Sequence, residues 1–148
     1  MSEKCFICDK HRGKINTSGI TIYEDDYVYV GHIDSNDQLK YIGHIMIDLK
    51  RHVPTLGDMT MEEASAFGII MAKISAALMK LDGVEHVYAL VSGNSVPHLH
   101  MHLVARYINT PKKYWGPMAV YDWEDAPRGD ENEVIELCNR LKIYLEGH

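Results

Sequence analysis

The segment His98-Leu-His-Met-His-Leu-Val104 places three histidines at alternate positions in an otherwise apolar run. Successive side chains of an extended strand point to opposite faces. His98, His100 and His102 therefore share one face, and Leu99, Met101 and Leu103 share the other. Neighbouring imidazoles on that face are expected roughly 6.5–7 Å apart, from a rise of about 3.3 Å per residue. The apolar face suits a core, while the imidazole face offers nitrogen ligands, nucleophiles or proton carriers. Desolvating three imidazoles without partners is costly, so a chance placement explains the pattern poorly.

Outward from this strand, Val91-Ser-Gly-Asn-Ser-Val-Pro97 has turn chemistry and follows the strand-like run HVYALV (86–91). The two runs are expected to be adjacent antiparallel strands. Further upstream, GITIYEDD (19–26) and YVYVGHI (27–33) are rich in β-branched and aromatic residues and meet at an acidic turn, which predicts a hairpin. GHIMIDL (43–49) makes a fifth strand. Two stretches have a helical period. Thr60 and Glu63 form a capping-box sequence opening a run to about Leu81, with apolar residues at Phe67, Ile70, Ile74, Ala77, Leu78 and Leu81 and a stop at Asp82-Gly83. A second helix is expected from near Asp130, with Glu133 three residues on and Val134, Leu137, Leu141 and Leu145 on one face. Residues 108–129 carry three prolines and two glycines among Tyr114, Trp115, Tyr121 and Trp123, and are expected to be irregular and held by aromatic packing. Strands and helices that do not alternate imply an α+β fold, with an antiparallel sheet of about five strands and two main helices.

A chain of 148 residues, 46% apolar and 24% charged, fits one domain around a single core. No run approaches the ~20 apolar residues of a membrane span, and MSEKCFICDK lacks the apolar stretch of a signal peptide. A cytoplasmic protein without membrane partners is the expectation. A net charge of −6 argues against a general nucleic-acid surface. It leaves room for an anionic small molecule in a site built locally from backbone N–H groups and imidazoles.

The histidine run admits two chemistries. As a metal site it is limited, because the outer pair would lie about 13 Å apart along a straight strand, so at most two of the three could share one ion. As a catalytic site, one imidazole attacks phosphorus or accepts a proton while the others orient it and stabilise charge. Cys5 and Cys8 form a C-x-x-C, half of a tetrahedral zinc site, with His11, His52 and His98 as candidates for the rest. A redox role is disfavoured because neither a preceding strand nor a following helix is evident. Two reduced thiols without metal are the alternative. Cys138, alone in a helical pattern, reads as a small buried apolar side chain.

Taken together, CFIC (5–8), IYEDD (22–26), GHIMIDLKRHV (43–53), the helix from Thr60 and GNSVPHLHMHLVARY (93–107) resemble the histidine triad (HIT) family of nucleotidyl hydrolases and transferases. The resemblance covers about residues 5–107 and implies one HIT domain over 1–148, with 108–148 as an added segment and helix. It implies that His100, the middle histidine, is the nucleophile that attacks an α-phosphorus and carries a nucleotidyl intermediate. His102 would contact phosphate or leaving group, and His44 would support the site from the neighbouring strand. In zinc-bearing members the matching residues, here Cys5, Cys8, His52 and His98, hold a structural ion. A homodimer is implied as well, with no organic cofactor. Asn94 stands where many members have glutamine, in a shortened loop, and would handle phosphate with Ser95. Asp34 is the expected ribose ligand, with His32 and Asp37 as competitors, and Arg106 serves as either a phosphate ligand or a salt-bridge residue. The implied reaction is hydrolysis of a nucleoside phosphoramidate or dinucleoside polyphosphate, releasing a purine nucleoside monophosphate. The alternatives are a nucleotidyltransferase or phosphorylase of the same family, or a nucleotide- or partner-binding module with vestigial catalysis, which the short loop and Asn94 favour.

Overall fold

Strand alternation and two capped helices account for most of the architecture. The computed structural model describes residues 5–12, 20–33, 38–94 and 96–147. Its strands are β1 (Thr21–Glu24), β2 (Val28–His32), β3 (Lys40–Tyr41), β4 (His44–Leu49), β5 (Val84–Leu90), β6 (His100–Tyr107) and β7 (Arg128–Gly129). The helices are α1 (Phe6–His11), α2 (Met61–Met79) and α3 (Glu131–Glu146). Five strands form an antiparallel sheet in the order β1-β2-β4-β6-β5, and β3 pairs with β7 in a separate two-stranded ribbon. The expected hairpin β1–β2 and the expected neighbours β5 and β6 both pair antiparallel.

Both long helices begin where their capping sequences place them. Thr60 accepts from the Glu63 backbone N–H at 3.1 Å, while the Glu63 carboxylate accepts from the Thr60 N–H at 2.8 Å. Asp130 and Glu133 repeat the arrangement at α3. Each box satisfies backbone donors that a helix start leaves without partners. Phe67, Ile70, Ile74, Ala77 and Leu78 of α2 are buried together with Val134, Leu137, Cys138 and Leu141 of α3. Leu145 packs only partly against this core. The Cys138 thiol is fully buried, lies 3.5 Å from the Ile20 carbonyl and is pushed up to about 11 by burial.

The helices cover the sheet face bearing Ile45, Ile47, Leu49, Leu103 and Ala105. By alternation, His44 and Asp48 of β4 and His100 and His102 of β6 lie on the other face. The cross-strand register sets Asp48 opposite His100 and Met46 opposite His102. Two pieces cover that face. One is α1, and the other is the 108–129 segment, whose Val120 and Ala126 form a small second core with Tyr41 and Val104. Gly43, just before His44, has φ +98° and would bring a Cβ within 3.0 Å of both Ala105 Cβ and Tyr107 Oη. A side chain there would meet strain and a clash at once, so glycine sets the entry to β4.

Two expectations need correction. A helix does accompany the C-x-x-C: α1 starts inside the motif, with Cys5 as N-cap and its Sγ accepting from the Cys8 N–H at 3.4 Å. The regular part of the triad strand begins at His100, leaving His98 just before it. Among the described residues, no helix is long and apolar enough to cross a membrane.

Candidate functional site

Two clusters of side chains meet at the start of β6. The first joins Cys5 and Cys8 of α1 to His52 and His98, with one ligand-type atom from each lying within 4.8 Å of all the others. Cys5 Sγ and Cys8 Sγ are each 3.4 Å from His98 Nδ1, Cys8 Sγ is 3.4 Å from His52 Nδ1, and the two Nδ1 atoms are 3.0 Å apart. A tetrahedral zinc ion with ordinary Zn–S and Zn–N bond lengths would separate such atoms by about 3.3–3.8 Å. The donor set and its spacing therefore fit a closed metal site. The other nitrogen of His98 adds to the fit: Nε2–H donates to the Leu49 carbonyl at 2.5 Å, which leaves the Nδ1 lone pair facing the thiols. Burial and the neighbouring Cys5 hold the Cys8 thiol above its ordinary range, a bias that a divalent cation would reverse. His11, the remaining candidate ligand, lies outside this set. Its ring sits edge-on to His98 with centroids 5.9 Å apart, and its Nε2 faces Asp48 at 3.3 Å.

The second cluster contains His44, His100 and His102. His100 is 7% exposed, and its Nδ1 lies 2.6 Å from the His98 carbonyl. A carbonyl only accepts, so Nδ1 carries a proton, and in the neutral ring the lone pair is on Nε2. His102 Nδ1 is 2.8 Å from His44 Nε2, and the other His44 nitrogen bonds the Tyr121 hydroxyl. The His100 and His102 rings approach edge to face at 5.1 Å, closer than an ideal strand would set them. Burial, and after it the neighbouring His102 and His32, push His44 down to about 3. His102 is lowered by burial and by His100. Both shifts favour the neutral imidazole near pH 7, in which one ring nitrogen donates and the other accepts.

The other residues named from the sequence fall in different places. Asp34, Asp37 and Ser95 lie outside the described residues. Asn94 is exposed in the loop before the triad. His32 sits on the opposite side of the sheet, buried, with Nδ1–H donating to the Ile33 carbonyl and Nε2 accepting from the Gly43 N–H. Arg106 pairs with Glu85 at 3.0 Å, donates to the Tyr88 hydroxyl at 2.7 Å and lies 3.7 Å under the Trp115 ring, so its guanidinium is engaged on the salt-bridge side. Sequence reading did not find Asp48. It is fully buried opposite His100, ion-paired to Lys10 and bonded to His11 of α1. An acidic residue in an otherwise apolar strand, GHIMIDL, was the available signal. Tyr121 was noted only as one aromatic among several.

A family model described as the HIT domain matches residues 14–109. Over 109 residues, 69% of this chain, the sequence is 35% identical to the nitrilase and fragile histidine triad fusion protein NitFhit of Caenorhabditis elegans. The chain spans only 24% of that protein's length. It is 31% identical over 107 residues to an uncharacterised HIT-like protein of Methanocaldococcus jannaschii, covering 70% of this chain and 79% of the relative. Among solved structures, a HIT-like protein of Bartonella henselae superposes with a TM-score of 0.71 at 18% identity, covering 97% of both chains. A Zn-bound histidine triad family protein of Mycobacterium smegmatis superposes with a TM-score of 0.69 at 20% identity, covering 97% of this chain and 94% of that one. The α+β sheet and helices are those of the HIT fold, and with the family model matching most of its length, this chain belongs to the HIT family.

Proposed function

We propose that this chain is a nucleotidyl hydrolase working through a covalent intermediate on His100. The observation that carries the reading is the His100 Nδ1–H···O=C bond to His98, which presents an unprotonated Nε2 beside a second, neutral imidazole. A neutral imidazole nitrogen is a competent nucleophile near pH 7 without a strong base to activate it. In the first step the Nε2 lone pair attacks the α-phosphorus of a nucleoside phosphoramidate or dinucleoside polyphosphate, and the bond from phosphorus to the leaving group breaks. In the second, water attacks the same phosphorus, the P–N bond to His100 breaks, and a purine nucleoside monophosphate leaves. His102 contacts phosphate or leaving group and His44 supports it. Asn94, Ser95 and Asp34 are assigned to substrate binding, and Arg106 to the salt bridge with Glu85. Cys5, Cys8, His52 and His98 would hold a zinc ion. Four protein ligands leave such an ion no open position for substrate, so its contribution is structural. The reading also takes the protein to be a cytoplasmic homodimer acting on small nucleotides, not on nucleic acid or membranes.

Intact-protein mass spectrometry after brief mixing with an adenosine phosphoramidate or a diadenosine polyphosphate, with AMP measured in the same sample, tests the reading. The expected result is an adenylate adduct and free AMP with wild type, and neither with His100→Ala. AMP release by His100→Ala at the wild-type rate would overturn the mechanism. Thermal stabilisation by AMP without turnover of either substrate would move the assignment to a nucleotide-binding module. Turnover that requires added phosphate would move it to a phosphorylase.

A further inference from the structure

We infer that Tyr121, from the irregular segment after the triad strand, is a positioning residue that fixes which nitrogen of His102 carries the proton. In its consequence for turnover this rests on the hydrolase reading, while the assignment of the proton itself does not. Tyr121 lies in a 3-10 turn, Ala119–Asp122, and its hydroxyl bonds His44 Nδ1. His44 Nε2 in turn lies 2.8 Å from His102 Nδ1. The three groups form one chain from the added segment, across β4, to β6.

A neutral imidazole has a single ring proton, so His44 donates in one of its two bonds and accepts in the other. The phenol decides which. Burial raises the Tyr121 hydroxyl far above its ordinary range, so it keeps its proton. Among the described residues, its hydrogen-bond partner is His44. A half-buried O–H with one partner donates to it. Tyr121 therefore gives its proton to His44 Nδ1, His44 carries its own proton on Nε2 and gives it to His102 Nδ1, and His102 is left with its proton on Nε2, on the far side of the ring. The opposite order would present a bare His102 lone pair to an anionic phosphate and leave the phenol proton without an acceptor among the described residues. Tyr121 thereby converts His102 into a fixed donor without touching substrate itself.

The turn that carries Tyr121 is held in register by neighbouring contacts. Arg128 donates to the Trp123 carbonyl at 3.1 Å, the Tyr121 and Tyr41 rings lie 5.4 Å apart, and Tyr41 donates to the Ala105 carbonyl of β6 at 2.5 Å. The phenol is thus set against β4 and β6 from a segment beyond the matched HIT residues, 14–109.

The experiment is long-range 15N–1H correlation of 15N-histidine-labelled protein, wild type and Tyr121→Phe, with turnover of an adenosine phosphoramidate and of a diadenosine polyphosphate measured on the same samples. Phenylalanine keeps the ring and its packing and removes only the donor. In wild type, His102 is expected in the Nε2–H form. In the variant the Nδ1–H form gains at least a comparable population, and kcat falls about fivefold with KM little changed, the scale of one neutral hydrogen bond. Wild-type His102 in the Nδ1–H form overturns the inference, and so does an unchanged tautomer in Tyr121→Phe, whatever the turnover. A redistributed tautomer in proteins that turn over neither class of substrate upholds the Tyr121 assignment and overturns the hydrolase reading instead.

Discussion

His32 and His44 sit on adjacent strands of one sheet yet face opposite sides of it, and the difference decides what protonation does to each. His44 faces the candidate site, among His102 and Tyr121. His32 faces the core, 3% exposed, and its Nε2 accepts from the Gly43 N–H at 3.0 Å. A second proton on His32 would turn that acceptor into a donor aimed at another donor, inside a core that cannot solvate the charge. Burial accordingly pushes His32 down to about 4. Because an unfolded chain takes this proton near pH 6.5 and the folded one does not, stability is lost as pH falls from about 6.5 towards 4. Over that window the loss from His32 is on the order of 3 kcal/mol. Urea denaturation at pH 7 and pH 4.5 should show this as a difference that shrinks by about 2 kcal/mol in His32→Gln. An equal acid loss in both proteins would assign it to other groups.

At the scale of elements, α1 is the unusual piece. Six residues are too few to hold a helix alone, so α1 depends on what its two sides touch. One side supplies Cys5 and Cys8 to the four-residue cluster, and the other places Lys10 and His11 on Asp48 of β4. The Lys10 and Asp48 side chains are 9% and 0% exposed. Removing one partner of such a pair strands a buried charge, whereas replacing both with apolar groups is nearly neutral. Because His11 still bonds Asp48, Lys10→Met should cost up to about 3 kcal/mol, and Lys10→Met with Asp48→Leu should recover part of it. A double variant no better than the single one would mean that the pair is not what holds α1 to the sheet. The cluster's four residues were named from the sequence, but the helix itself and its hold on Asp48 were not legible there. Thr60 and Asp130 announce α2 and α3 because a capping box and a long apolar period are local signals. The cap of α1 is a thiol, its length allows no period, and its partner lies on another strand. The two-residue ribbon β3–β7 escaped for the same reason of length. The triad was legible because alternation is local too. The contacts of Asp48 and Tyr121 depend on pairings 37 and 77 residues apart in sequence, which no window of residues contains.

At the scale of the molecule the sheet separates two cores of unequal size. The large one, between sheet and helices, buries the apolar faces of all five strands' inner rows and supplies most of the fold's stability. The small one, built from Tyr41, Val104, Val120 and Ala126, lies on the histidine side and holds the 108–129 segment down. The candidate site lies between α1 and this segment, so the groups around the histidines are carried by the two pieces with the least core of their own. Local opening should therefore begin there, well below the free energy of global unfolding. Val120 is fully buried in the small core. Val120→Ser removes two methyl groups and sets a hydroxyl in their place, at a cost of about 2 kcal/mol. Amide hydrogen exchange should quicken across residues 112–123, by roughly the factor of 30 that 2 kcal/mol represents, while β2, β4 and β6 keep their protection. Uniformly faster exchange throughout the sheet would show instead that the segment folds in one cooperative unit with the large core.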